Sequence, residues 1–343
     1  MSRAGETSVS ESAAKKLRMA VVGCGPIGNL HARAISGSPH ARLVAVCDPD
    51  AARRDQAAAR WNVRAHATDQ EMLAGEALDA VTIATPDHLH VEPTLAALGA
   101  GCHVFCEKPL ATSPMEAERV VTTAAERGVY LAVDYNRRFA FGYRTAQELL
   151  AAGRIGELKY CVIRASDRTP RAAVARHPQV MLTTFLTHFF DLLRFYGGPI
   201  RQVQAVCGRE PAGELMRSVS LSFQFAGGAV GTIVAGYRDG QTRTAEWLEL
   251  GGTTGAIVVE DVTRRVSLIE SDPDRQQTFA PNHFVGSDAF YDSLVEHVQV
   301  FVEHIARDAP PPVTGVDGLA GMKLAAAASE SLAAGRIIEV PDL

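Results

Sequence analysis

From Leu17 to Val133 short apolar runs alternate with longer stretches whose apolar residues recur at helical spacing. Leu17–Val22, Ala41–Cys47, Ala80–Ala84, His103–Cys106 and Val129–Val133 are too short and too uniformly apolar for anything but buried strands. Between them Pro26 to about Ser36, Ala51–Trp61, Val91–Leu98 and Met115–Arg127 read as helices. Strand and helix in strict alternation imply right-handed crossovers and a parallel sheet covered on both faces.

After Phe139 the rhythm changes. A helical stretch near Ala146–Ala152 is followed by strand-like segments at hairpin spacing, around Leu158–Ile163, Val203–Cys207, Trp247–Leu250, Ala256–Val259 and Val266–Ile269. Val219, Leu221, Phe223 and Phe225 alternate with Ser220, Ser222 and Gln224, the period-2 pattern of a half-buried strand. Gly227-Gly228 supplies a turn, and Val230–Ala235 returns. Such strands build an antiparallel sheet. A last apolar helix, Gly318–Ala334, stops at Gly335. The expected fold class is α/β, with a doubly wound parallel sheet over 17–137 and an α+β domain with a large, mostly antiparallel sheet over 138–343. The C-terminal helix is expected to pack back on the first domain. Residues 1–16 are small, polar and charged, and read as a disordered tail.

Composition narrows the function. With 47% hydrophobic and 21% charged residues the chain can bury a large core, and its net charge of −5 leaves no basic excess for a phosphate backbone. Nucleic acid is therefore not an expected partner. No apolar run reaches the roughly 18–20 residues of a membrane span, and the first residues carry no apolar signal core. Six scattered cysteines in so long a chain read as reduced thiols, so we expect a cytoplasmic protein with no membrane partner. Cys102-His103-x-x-Cys106 lacks a second ligand pair, and no metal is expected.

Gly23-Cys24-Gly25-Pro26-Ile27-Gly28 fits G-x-G-x-x-G. Alone the motif is weak, but here it follows a strand, opens a helix, and is answered by an acid, Asp48, twenty residues on at the end of the second strand. This is the context of a dinucleotide-binding Rossmann domain, whose glycines let backbone N–H groups approach a pyrophosphate. Asp48 would accept from the adenosine ribose and repel a 2′-phosphate, which favours NAD over NADP. Arg53 and Arg54 just beyond it keep NADP open.

Ala84-Thr85-Pro86-Asp87-His88-Leu89-His90, Cys106-Glu107-Lys108-Pro109 and Tyr135-Asn136-Arg137-Arg138-Phe139 come in order after successive strands. With Gly153-Arg154-Ile155-Gly156-Glu157-Leu158, the helix ending His188-Phe189-Phe190-Asp191, and Leu250-Gly251-Gly252-Thr253-Thr254-Gly255, they make the chain resemble the Gfo/Idh/MocA oxidoreductases from about Leu17 to Pro341. The resemblance implies that Lys108 is catalytic, that Glu107 contacts the nicotinamide ribose, that Thr85, Pro86, His90 and Asn136 belong to the cofactor site, and that the Lys108-Pro109 bond is cis. A lysine at the carboxyl end of a parallel strand also lies where such sheets bind ligands, and burial should make it a better base at neutral pH.

The family's second catalytic element is an Asp four residues before a His. Here His188 is present but position 184 is Thr184, so His188 and Thr184 are the catalytic candidates beside Lys108. A hydroxyl can orient the His188 ring but contributes no charge, so the ring is expected to stay neutral near pH 7. Thr184, Thr187, His188 and Asp191 form a polar stripe on an otherwise apolar helix and need partners or a ligand; His188 and Asp191 satisfying each other is the plain alternative. Asp167 and Arg168 are the further substrate candidates. The resemblance thus implies an NAD(P)-dependent oxidoreductase that moves a hydride between nicotinamide and a secondary alcohol or ketone of a sugar, cyclitol or related polyol. Alternatives are a cofactor-retaining sugar-modifying enzyme and a non-catalytic NAD-binding sensor. A homodimer or homotetramer is expected, because the second sheet can pack against its twin.

Overall fold

A computed structural model describes residues 15–167, 180–209, 216–238, 245–272, 275–281 and 289–343; the expected tail falls almost wholly outside them. The first half runs β1 (Leu17–Val22), α1 (Pro26–Gly37), β2 (Ala41–Cys47), α2 (Ala51–Trp61), β3 (Arg64–His66), α3 (Asp69–Gly75), β4 (Ala80–Ile83), α4 (Val91–Gly99), β5 (His103–Cys106), α5 (Pro114–Arg127) and β6 (Leu131–Val133). The six strands pair in parallel in the order β3-β2-β1-β4-β5-β6. The order reverses between β1 and β4, so the loops after these two strands flank the crevice where open α/β sheets take ligands. Local chemistry sets the helix ends: Asp50 caps α2 through the Arg53 N–H, and Ser113 caps α5, which starts on Pro114 and stops at left-handed Gly128.

The second half runs α6 (Phe141–Ala151), β7 (Leu158–Asp167), α7 (Thr187–Gly197), β8 (Ile200–Arg209), β9 (Met216–Phe225), β10 (Val230–Tyr237), β11 (Ala245–Gly252), β12 (Gly255–Asp261), β13 (Arg265–Glu270), β14 (Gln276–Phe279), α8 (Ala289–Ala306), α9 (Gly315–Ala334) and β15 (Ile338–Glu339). Nine strands form one sheet, β14-β13-β12-β11-β7-β10-β9-β8-β15, antiparallel except where β7 meets β10. Along β9 buried and exposed positions alternate, so one face joins the core made with α6, α7 and α9 and the other faces outward.

Two differences from the sequence expectation have physical causes. Helix α6 begins five residues early, at Phe141, because Gly142 and Tyr143 are buried there although glycine is a poor helix former. Helix α8 lies within 138–343 yet packs on the first sheet, with Leu294, Val298, Phe301, Val302 and Ile305 in one core with Ala32, Ile35 and Phe105. The nucleotide half is therefore discontinuous in sequence. Helix α9 is the shared wall: Leu319 and Met322 belong to the core of the first sheet, and Leu324, Ala325 and Ala328 to that of the second.

Candidate active site

The glycine loop separates protein needs from ligand needs. A Cβ on Gly23 would meet the Ala84 carbonyl oxygen at 2.4 Å, and one on Gly28 would meet the Gly23 oxygen at 1.8 Å, so packing alone demands both glycines. A Cβ on Gly25 would meet nothing within 4 Å. That bare position sits at the N-terminus of α1, where Pro26 occupies the first turn beside Ile27 and no side chain caps the free N–H groups. Open amides and an uncovered backbone fit a pyrophosphate.

Asp48 is buried at the end of β2; one carboxylate oxygen accepts the Cys24 N–H at 2.7 Å and the other the Asp50 N–H at 2.9 Å. These bonds tie the strand end to the glycine loop. Each oxygen keeps a second lone pair, the capacity a ribose hydroxyl would use. Arg53 pairs with Asp50 and Arg54 with Asp55, so both arginines that kept NADP open are engaged by neighbouring acids.

Beneath the crevice lies a sealed floor. Glu107, at the end of β5, has one oxygen 3.2 Å from His31 Nε2 and bonds to the carboxyl of Asp134, just after β6. Asp134 in turn lies 2.7 Å from His297 Nδ1, on α8. Burial and the charge of Glu107 push Asp134 well above the usual carboxylate range. Burial opposes ionisation of Glu107 as well, but hydrogen bonds from His31 and Asp134 and the charge of Lys108 outweigh it and hold Glu107 low. Asp134 therefore keeps the proton and Glu107 the charge. His31, Glu107 and Asp134 also place donor atoms within 4.8 Å of one another, a cluster of metal-binding type whose carboxyls are already held by protein hydrogen bonds.

Lys108 follows Glu107, and the Lys108–Pro109 peptide is cis, as the resemblance implies. Burial lowers the Lys108 pKa; Glu107 opposes this and Arg137 reinforces it. Its Nζ lies 3.4 Å from the carbonyl oxygen of Thr184, across the cleft. Thr184 stands in a π-helical turn, Met181–Phe185, just before α7, with the Leu186 N–H reaching back to the Met181 carbonyl. Such turns free carbonyl groups for other partners, and this one takes both Lys108 and the Thr187 hydroxyl.

His188 is 6% exposed beside the Tyr135 ring, and its Nδ1 has no partner among the described residues. Burial, then the charges of Arg137 and Lys108, push its pKa well below the usual imidazole value, so the expected neutral ring is found. Two expectations for the stripe need correction. The Thr184 hydroxyl does not orient His188; it donates to Asp87 at 3.1 Å. Nor do His188 and Asp191 satisfy each other, because Arg138 takes Asp191 with both guanidinium arms and Asp317 joins them.

The remaining expected residues fall into three groups. Thr85 and Pro86 line the loop after β4, where the Thr85 hydroxyl donates to the Leu89 carbonyl, while His90 is buried with its ring nitrogens 2.6 Å and 2.9 Å from the carbonyls of Pro109 and Thr85. His90 is thus a brace between the two motif loops rather than a ring offered to a ligand. Asn136 is buried and donates to Ser293 on α8 at 3.3 Å. Asp167 ends β7, and its charge acts on Arg137 and Tyr237; Arg168 lies outside the described residues. The Cys102-His103-x-x-Cys106 run points at separate partners, and burial pushes the two thiols up to about 11 and about 12.

Sequence reasoning missed Asp87, Asp134, His31 and His297 as parts of the site. Asp87 and Asp134 both follow the carboxyl end of a parallel strand, which is the signal that could have found them. No signal marks His297, which is distant in sequence. Among the described residues no helix is long and apolar enough to cross a membrane.

Comparison with known proteins agrees with this geometry. Residues 17–135 match the oxidoreductase family with an NAD-binding Rossmann fold, and 143–258 match the GFO/IDH/MocA C-terminal domain. The chain is 29% identical over 334 residues to an inositol 2-dehydrogenase of Rhizobium meliloti, covering 94% of this chain and 99% of that one. It is 27% identical over 342 residues to a myo-inositol 2-dehydrogenase of Thermotoga maritima, covering 95% and 99%. A levoglucosan dehydrogenase solved with NADH and levoglucosan superposes with a TM-score of 0.88 at 21% identity, covering 96% of this chain and all of that one. By both halves of its sequence and by its fold, the chain belongs to the GFO/IDH/MocA family of oxidoreductases, with an NAD-binding Rossmann domain.

Proposed function

We propose that the protein is an NAD-dependent dehydrogenase acting on a secondary alcohol of a cyclitol or sugar, or on the matching ketone. Residues 17–137 hold the cofactor and 138–343 the substrate. The observation that carries this reading is the Lys108 amine, tuned towards neutrality by burial and hydrogen-bonded across the cleft to the Thr184 carbonyl. Bound NAD supplies the hydride-accepting nicotinamide. Lys108 takes the hydroxyl proton in oxidation and returns it in reduction. His188, neutral and with a free buried nitrogen, orients the hydroxyl by a hydrogen bond. The charged Glu107 accepts from a ribose hydroxyl. The ring polyols named for the relatives support the substrate class.

NADH appearance across a panel of inositols, sugars and their phosphates tests this. Wild type should turn over one class, and Lys108→Met should lose about 10³-fold in kcat while NADH binding, read by fluorescence, is retained. A silent wild type that binds NADH, or an active Lys108→Met variant, would overturn the assignment.

A dimer or tetramer, working in the cytoplasm, completes the proposal. Val206 and Val234 flank Ser220 in one cross-strand row on the outward sheet face, 67% and 48% exposed, and such a row suits a second sheet. Light scattering of wild type against Val206→Glu/Val234→Glu should show an oligomer become a monomer.

A further inference from the structure

Thr184 holds two opposite charges that come from the same side of the cleft. Its carbonyl accepts the Lys108 amine at 3.4 Å and its hydroxyl donates to Asp87 Oδ2 at 3.1 Å. Asp87 opens the short helical turn Asp87–Leu89 after β4, and its other oxygen accepts the His88 N–H at 3.0 Å. The Asp87 side chain is 23% exposed, whereas Asp134 in the floor is 2% exposed. Three acids therefore act on Lys108: Glu107, Asp134 and Asp87. Only Asp87 is held from the substrate side.

We propose that Asp87 is a positioning residue of the reaction: suspended from Thr184, its carboxylate adds to the negative charge around Lys108 and fastens the turn before α7 over the lysine. The catalytic consequence rests on reading Lys108 as the proton-transfer group; the electrostatic coupling does not. The other groups facing Lys108 are Arg137, from the turn after β6, and His188, from α7. Arg137 disfavours the ammonium, and Lys108 in turn helps to keep the His188 ring neutral. Arg137 is held by the buried Glu246 through Nε and Nη2, and Glu107 bonds His31 and Asp134, so Asp87 is the one of the three acids that is also tied to the substrate half, through Thr184. In the ketone-reducing direction this matters most, because Lys108 must then hold a proton before it gives one up. The fastening has a geometric consequence too. Among the described residues the Thr184 hydroxyl is tied to the nucleotide half through Asp87, and the carbonyl that seats Lys108 belongs to the same residue.

The test uses the intact protein. Competitive acetylation of Lys108 with acetic anhydride across pH, read by mass spectrometry, reports the lysine without any need for turnover. Asp87→Asn removes the charge and keeps the size. The labelling midpoint should fall by about 0.5–1 pH unit, and the acid limb of kcat/KM for alcohol oxidation should move down by the same amount. Ketone reduction at neutral pH should fall about tenfold. Thr184→Asp puts two carboxylates face to face and should also lose activity. The double variant Asp87→Asn/Thr184→Asp, in which an amide at 87 donates to a carboxylate at 184, should recover both rate and labelling midpoint. An unmoved or raised midpoint in folded Asp87→Asn, or a double variant no better than Thr184→Asp alone, would overturn the proposal. If wild type is inactive on every substrate, the functional reading fails while the labelling shift still decides the coupling.

Discussion

The floor and the rim of the cleft treat charge in opposite ways. In the floor, His31, Glu107, Asp134 and His297 form a hydrogen-bonded chain in which Asp134 is pushed above and Glu107 held below the usual carboxylate range, while His31 Nδ1 and His297 Nε2, at its two ends, have no partner among the described residues. At the rim, Asp87 and Thr184 are joined by a single hydrogen bond, and one buried nitrogen of the neighbouring His188 has no partner among the described residues. Carboxyls tied to one another in this way hold the shape of the floor. The unpartnered nitrogen of His188, at the rim, carries a cost that a substrate hydroxyl can relieve. Lys108 stands between them, fixed by one and exposed to the other.

That contrast predicts where substitutions hurt stability and where they hurt turnover. The largest stability loss belongs to the floor. Asp134→Ala strands the Glu107 carboxylate and His297 together and should cost about 3 kcal/mol in urea unfolding, whereas Asp134→Asn, which keeps a hydrogen-bonding group there, should cost about 1 kcal/mol. Equal losses would mean that the pair shares no proton.

At the rim the effect should be kinetic. His188→Gln should lower kcat about 30-fold and change unfolding by less than about 1 kcal/mol. Its pH signature is separate. His188 and His297 both have folded pKa values below the ordinary 6.5, so the unfolded chain binds their protons first. Stability is then complete above about pH 6.5 and declines as the pH falls, by up to about 1.4 kcal/mol per unit for each ring. His188→Gln should remove roughly half of that decline between pH 6.5 and 5, which denaturation at several pH values would show. The smallest effect is expected at Ser293→Ala, which deletes one buried bond to Asn136 and should cost about 1 kcal/mol or less.

The sequence was most readable where a single principle dominates. β2, α2 and β5 match their expected ends because buried apolar runs and caps such as Asp50 act locally. β3 was invisible, since Arg64-Ala65-His66 has no apolar run and owes its pairing to β2. In the site, Lys108 and Asp48 were legible from their positions at strand ends, whereas Glu107 was read from the resemblance. The partners of Thr184 and Asp191 could not, because Asp87 and Arg138 reach them from elements about 97 and 53 residues away in sequence. Helical spacing says which side chains share a face; it does not say what stands opposite.

The packing of α8 on the first sheet sets an order on how the chain can be made. As the protein leaves the ribosome, Ile35, Phe105 and their neighbours have no cover until residues 289–306 emerge. All strands of the second sheet but β15 are translated before then. The half of the molecule that begins first thus waits for a helix made after most of the second, and a nascent chain stopped before α8 presents an apolar surface that a chaperone can read.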